Sequence, residues 1–174
     1  HVTATFRPPD AAQAEALASR HVQCWRESYA GLLDPDFLRD LTVEYRARIW
    51  RRALADPAMF LRVTEVAGER VGFVMAGPAS PDYRQWAACE VHALYLRRHR
   101  QGQGLGRSLL SEALGNLKGR GAAGAVAMVF AENHGARRFY EALGGQEAGS
   151  LPITLGAMNL IEIAYVFDLA RPAQ

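Results

Sequence analysis

Apolar residues recur along this chain with two different periods, and the switches between them mark out its elements. Alternating or continuously apolar runs over 3–7, 59–66, 70–77, 87–96, 124–130 and 160–169 predict strands, with a short strand near 146–150. Apolar positions three and four apart predict helices over 11–29, 36–54, 104–118 and 134–143. The link Ala67-Gly68-Glu69 reads as the turn of an antiparallel hairpin, and Asp34 followed by Pro35 as the capped start of the second helix. Strands interleaved with helices give a mixed α/β chain.

Between the strand ending at Leu96 and the helix after it stands LYLRRHRQGQGLGRSLL, residues 94 to 110. Glycines at 102, 104 and 106 let backbone N–H groups approach a ligand closely, and the helix beyond offers unsatisfied donors and a positive dipole end. An anion is expected to bind here. Spacing excludes two common versions of such a loop. A dinucleotide fingerprint G-x-G-x-x-G would need glycine where Arg107 or Leu109 stands, and a P-loop would need glycine at Gln101 and lysine at Arg107.

A second segment, VAMVFAENHGARRFYEALGG over 126–145, runs a strand into Asn133 as helix N-cap, then Ala136, Phe139 and Tyr140, with Gly144 closing the helix. On that helix Asn133, Ala136, Arg137 and Tyr140 share one face, which leaves Phe139 and Leu143 for the core. The pattern [RQ]-x-x-G-x-[GA], carried by Gln101, Gly104 and Gly106, resembles the acetyl-coenzyme A motif of the GNAT N-acetyltransferase superfamily. N-x-x-A-x-x-[FL]-Y-x-x-x-G, carried by Asn133, Ala136, Phe139, Tyr140 and Gly144, resembles that family's second motif, in the family's order.

The resemblance implies one GNAT-like domain over 1–174: a central, mostly antiparallel sheet, splayed between its fourth and fifth strands and flanked by helices. It implies acetyl-CoA as co-substrate, with the pantetheine arm pairing along Leu94, Tyr95 and Leu96 and a backbone N–H near Leu94 meeting the oxyanion. The diphosphate would lie on Gln101, Gly102, Gln103, Gly104, Leu105, Gly106, Arg107 and Ser108, and the coenzyme would continue along Asn133, Arg137 and Tyr140. Many members carry proline where Arg98 stands. The junction of the first two helices, with Trp25 and Tyr29, would cover the acceptor pocket, and Glu162 on the last strand would line it.

Acyl transfer to an amine asks for a base and for a donor to the leaving thiolate. An amine with pKa of about 10.4 is protonated at neutral pH, so a base or a water relay is useful. Glu90 and His92, two apart on a strand, share a face with Leu94 and Leu96. Family members often place a glutamate on this strand, which makes Glu90 the first candidate base, with His92 and Glu162 as rivals. Tyr140, whose phenol stays protonated at neutral pH, is the candidate donor.

Composition narrows the rest. A chain of 174 residues, 49% hydrophobic, supports one well-packed core. Net charge of +2 without a basic block among aromatics argues against nucleic acid or an anionic membrane as partner. The one basic run, Arg97, Arg98, His99 and Arg100, abuts the glycine turn and is expected to attract the phosphates. Cys24 and Cys89 have neither metal-ligand nor C-x-x-C spacing, so no metal is expected and a cytosolic chain with reduced thiols is. No apolar run reaches membrane-spanning length, no signal-peptide pattern opens the chain, and His1 reads as a tag remnant. The expected reaction is direct transfer to the amine of a small molecule, and the resemblance to a family many of whose members pair through their C-terminal strands implies a homodimer. Protein or peptide N-acetylation and a non-catalytic acyl-CoA sensor are the alternatives.

Overall fold

The computed structural model describes residues 3–170; His1 lies outside them. Seven strands form one mixed sheet in the order β1-β2-β3-β4-β5-β7-β6, flanked by helices. The strands are β1 (Thr5–Arg7), β2 (Phe60–Val66), β3 (Glu69–Pro78), β4 (Cys89–Leu96), β5 (Gly124–Phe130), β6 (Gln146–Leu155) and β7 (Met158–Asp168). The helices are α1 (Ala14–Tyr29), α2 (Pro35–Arg39), α3 (Val43–Ala55), α4 (Leu105–Gly119) and α5 (His134–Ala142). β4 and β5 pair in parallel through Cys89↔Ala125 and Glu90↔Val126, whereas β1–β2, β5–β7 and β6–β7 are antiparallel. The described residues fall into two compact units, the first up to 75 with 93–113, and the second 76–92 with 114 onward.

In the first unit, α1 and α3 pack Ala14, Leu17, Ala18, Ala47, Trp50 and Ala53 against Leu61, Val63, Phe73, Met75 and Ala93 of the strands. Ala67 and Gly68, at φ +53° and +80°, form the two-residue turn between β2 and β3 that a tight hairpin requires. The helix expected over 36–54 is two helices. Asp40 ends α2, and Thr42 caps α3 by accepting from the Tyr45 N–H at 3.2 Å. Both side chains compete with a helical backbone and favour its ends. Arg26 fixes the break by donating to the carbonyls of Leu38, Arg39 and Leu41 at 3.1, 3.4 and 3.2 Å.

In the second unit, β7 pairs with β5 from Gly124↔Asp168 to Phe130↔Glu162 and with β6 as far as Leu155↔Met158. The short strand expected near 146–150 therefore extends to Leu155 and returns through Gly156, at φ +57°. The β6 register shifts between Glu147 and Gly149, where a Cβ on Gly149 would stand 2.9 Å from the Trp86 ring. Both cysteines are free thiols. Burial, reinforced by the charge of Glu27, pushes the Cys24 thiol up to about 12. No helix among the described residues is long and apolar enough to cross a membrane.

His21, 3% exposed, accepts the Trp50 indole N–H on Nδ1 at 3.2 Å. Burial, with the charge of Arg46, holds its imidazole well below the usual value. The unfolded chain therefore takes up a proton below about pH 6.5 that the fold refuses, so stability is full above that value and falls as the pH drops below it. His21→Phe is expected to flatten this dependence in thermal melts. At pH above 7 it should cost about 1–3 kcal/mol, because the Trp50 N–H loses its acceptor.

Candidate active site

The first unit holds the glycine loop. At the exit of β4 the Arg97 N–H donates to the Val71 carbonyl at 2.7 Å, and a single 3-10 turn over Arg98–Arg100 leads into the loop. Gly102 and Gly104 adopt φ of +76° and +82°, and a Cβ on either would meet nothing within 4 Å. The loop thus borders open space in a conformation that disfavours side chains. Ser108 N–H closes the first helical bond to the Gly104 carbonyl at 3.1 Å. The amides of Leu105, Gly106 and Arg107 precede it and have no helical acceptor. Ser108 Oγ turns back to the same carbonyl at 3.2 Å, and Gln101 Nε2 donates to the Leu96 carbonyl at 3.3 Å, so both side chains brace the turn.

The basic run divides. Arg97 pairs with Glu27 at 2.9 Å and lies 3.7 Å from Glu69. Arg98 donates from its guanidinium to the Glu27 carbonyl and from its backbone to the Glu27 carboxylate. Burial alone would raise Glu27, but the hydrogen bonds and charges of these two arginines hold it below the usual range. Arg97 and Arg98 are therefore committed to α1, contrary to the expectation that the whole run serves an anion. Arg100 differs, because its Nε is buried without a hydrogen-bond partner.

Also in this unit, Trp25 and Tyr29 of α1 meet Tyr95 of β4. The Tyr29 and Tyr95 hydroxyls are 2.8 Å apart, the Trp25 and Tyr29 rings meet edge-on at 4.8 Å, and the Arg46 guanidinium lies 4.5 Å over Trp25. Burial, followed by the proximity of Tyr29, drives the Tyr95 phenol well above its ordinary value. Sequence reasoning missed Arg46, which stands in an arginine-rich helix with Arg48, Arg51 and Arg52.

The second unit holds the carboxylates. Glu90, 5% exposed, accepts the Ser80 N–H at 2.9 Å and lies 3.4 Å from His92 Nδ1. His92 Nε2 lies 2.8 Å from the Pro78 carbonyl. A carbonyl can only accept, so Nε2 carries the hydrogen, and in neutral imidazole Nδ1 is then a bare lone pair facing the carboxylate. Glu162 accepts the Tyr83 hydroxyl at 2.7 Å. Burial raises Glu162 and the charge of Glu90 adds to the effect, while the Tyr83 bond opposes it. Tyr83 is raised in turn, first by burial and then by Glu162. It sits on a 3-10 turn whose sequence shows no periodicity, and it was not foreseen.

Asn133 caps α5 as expected, its Oδ1 accepting the Ala136 N–H at 3.3 Å. Tyr140 corrects the expectation for this helix. It is 8% exposed, stacked at 6.3 Å on Tyr165 and edge-on to Phe167, while Phe139 and Leu143 are only half-buried. The face toward β7 is an aromatic one, and Tyr140 fills it. Arg137 of the same face donates to the Tyr165 hydroxyl at 2.9 Å and the Ala131 carbonyl at 3.1 Å, and pairs with Glu147 at 3.1 Å.

The model of the Acetyltransferase (GNAT) family matches residues 20–145. The chain belongs to this family. A probable N-acetyltransferase of Mycobacterium tuberculosis is 30% identical over 130 residues, covering 72% of this chain and 70% of that one. The fold is similar to the PaiA N-acetyltransferase of Thermoplasma acidophilum in complex with coenzyme A, at TM-score 0.75 and 17% identity, covering 95% and 99% of the two chains. It is also similar to YncA of Salmonella typhimurium, a putative acetyltransferase with acetyl-CoA, at TM-score 0.72 and 22% identity over 99% and 97%. The chain is a GNAT acetyltransferase.

Within this GNAT chain, the sequence-named residues come together in groups. Trp25, Tyr29 and Tyr95 form one group, Glu90 with His92 and Glu162 a second, and Arg137 and Tyr140 meet Tyr165 in a third. Glu162, raised in the fold, carries no penalty below the usual carboxylate range. As the pH climbs through its folded value, ionising it works against the fold, and the loss stays constant above. Glu162→Gln keeps an acceptor for Tyr83. It is expected to raise Tm over the parent near pH 8 and to leave it level near pH 4; equal shifts at both would show that this carboxylate is not strained by burial.

Proposed function

We propose that this acetyltransferase transfers the acetyl group of acetyl-CoA directly to the amine of a small molecule, with Glu90 and His92 as the base. The observation that carries this reading is the fixed tautomer of His92. With Nε2 on the Pro78 carbonyl at 2.8 Å, the Nδ1 of a neutral ring turns its lone pair toward the Glu90 carboxylate at 3.4 Å. A proton given up by an incoming ammonium would be held between these two groups in a charge-assisted hydrogen bond.

The residues fit the coenzyme. The open side of Gly102 and Gly104, with the first amides of α4, suits a diphosphate, and the orphaned Arg100 Nε and the exposed Arg107 supply positive charge. When bound, the coenzyme supplies a thioester carbon as electrophile and a thiol as leaving group. The Leu94 N–H would donate to the oxygen that gains charge, and Leu94 to Leu96 would pair with the pantetheine arm. Asn133 and Arg137 would border the coenzyme, and Tyr140 would donate to the departing sulfur, as a phenol protonated at neutral pH can. Trp25, Tyr29 and Glu162 would receive the acceptor.

Release of free coenzyme A from acetyl-CoA, followed against polyamines, amino acids, aminoglycosides and a peptide mixture, tests this reading. A small amine should give turnover at least tenfold above background hydrolysis. Tyr140→Phe and Glu90→Gln should each lower kcat tenfold or more while coenzyme affinity by calorimetry stays within about threefold. A hit among the peptides alone would make the chain a protein acetyltransferase. Coenzyme binding with silence across the panel would make it a sensor. Gly104→Val, which forces a β-branched residue to positive φ beside the anion, should weaken coenzyme binding several-fold; unchanged binding would move the diphosphate away from this loop.

A further inference from the structure

The acetyltransferase reading leaves the acceptor open beyond its amine, and Arg46 supplies a second demand on it. Its guanidinium carbon lies over the Trp25 ring at 4.5 Å, with Nε out of solvent contact and without a hydrogen-bond acceptor. Three other half-buried arginines have acids, Arg97 with Glu27, Arg62 with Glu112 and Arg137 with Glu147, whereas Arg100 beside the glycine loop shares the orphaned state of Arg46. No carboxylate among the described residues pairs with Arg46. A guanidinium stays protonated even when burial works against it, as it does here. A partly desolvated cation without a counter-charge is costly, and the cost is removed when an anion docks on it.

The surroundings specify the anion. Nearby stand the hydroxyls of Tyr29 and Tyr95, 2.8 Å apart, which add polar groups beside the guanidinium. His21 adds no charge, since its Nδ1 is occupied by the Trp50 N–H and burial keeps the ring neutral. One planar fork, hydroxyl donors and an aromatic floor suit a flat monoanion, which a carboxylate is, better than a phosphate with two charges. Tyr95 directly follows Leu94, so the carboxylate would be held close along the chain to the amide proposed to meet the reacting carbonyl. Resting on the acetyltransferase reading, we propose that Arg46, with Trp25, Tyr29 and Tyr95, binds a carboxylate of the acceptor, so that the substrates are amino-acid-like amines rather than polyamines.

Two measurements test this. In the coenzyme A release assay, an amino acid should surpass its own amide and its decarboxylated amine at least tenfold in kcat/KM. Arg46→Gln should raise KM for the amino acid at least tenfold and erase the discrimination, with coenzyme affinity and Tm near those of the parent. Equal use of the three acceptors, or a discrimination that survives Arg46→Gln, would overturn the proposal. The second measurement needs no turnover: butyrate should alter tryptophan fluorescence saturably, butylamine should not, and Arg46→Gln or Trp25→Phe should abolish the butyrate signal. A butyrate signal lost in both variants, without transfer to any amine, would support the carboxylate site while the enzymatic reading falls. Transfer to amines with no butyrate signal would leave the enzyme and overturn the site.

Discussion

Neighbouring residues of a strand face opposite ways, and along Cys89–Leu96 that alternation decides what each residue does. Ala93 and Tyr95 pack with α1 and α3, while Glu90 and His92 meet each other instead. A slip of one position would bury the imidazole among apolar helices and turn Tyr95 away from Tyr29. The strand is held against such a slip at both ends. Cys89↔Ala125 and Glu90↔Val126 fix its start, and the Arg97 N–H on the Val71 carbonyl fixes its exit. Gly72 enforces the second. A Cβ there would stand 2.5 Å from Leu96 and 2.7 Å from the Tyr95 carbonyl, so the approach of β3 to β4 depends on a missing side chain.

Features governed by near neighbours were legible in the sequence. Gly102 and Gly104 adopt the positive φ that a glycine turn implies, and Asn133 caps its helix because the cap and the amide it serves are three residues apart. The single helix expected over 36–54 failed even so. Apolar periodicity continues across Asp40 and Thr42 and masks the local cap that Thr42 supplies, while the Arg26 guanidinium, from another helix, reinforces the break. Distant partners were hidden altogether. Glu27 claims Arg97 from 70 residues away, and Tyr83 reaches Glu162 across 79, separations that no local pattern records.

Net charge was similarly uninformative about the site. A total of +2 averages over regions of opposite character. Glu90 and Glu162 concentrate negative charge in one unit, while Arg46 and Arg100 each hold a buried nitrogen without an acceptor in the other. Charges that matter to a ligand are those left uncompensated locally, and only the fold reveals which arginines have found their acids.

Cys24 has a consequence for how the protein meets its own product. A thiol pushed up to about 12 holds only about one molecule in 10⁵ as thiolate at neutral pH. Thiol–disulfide exchange requires the thiolate, so oxidised coenzyme would find no attacking group at this residue. Burial that keeps Cys24 out of contact with solvent acts in the same direction, so oxidation at this point of the helix that carries Trp25 and Tyr29 is disfavoured on two counts.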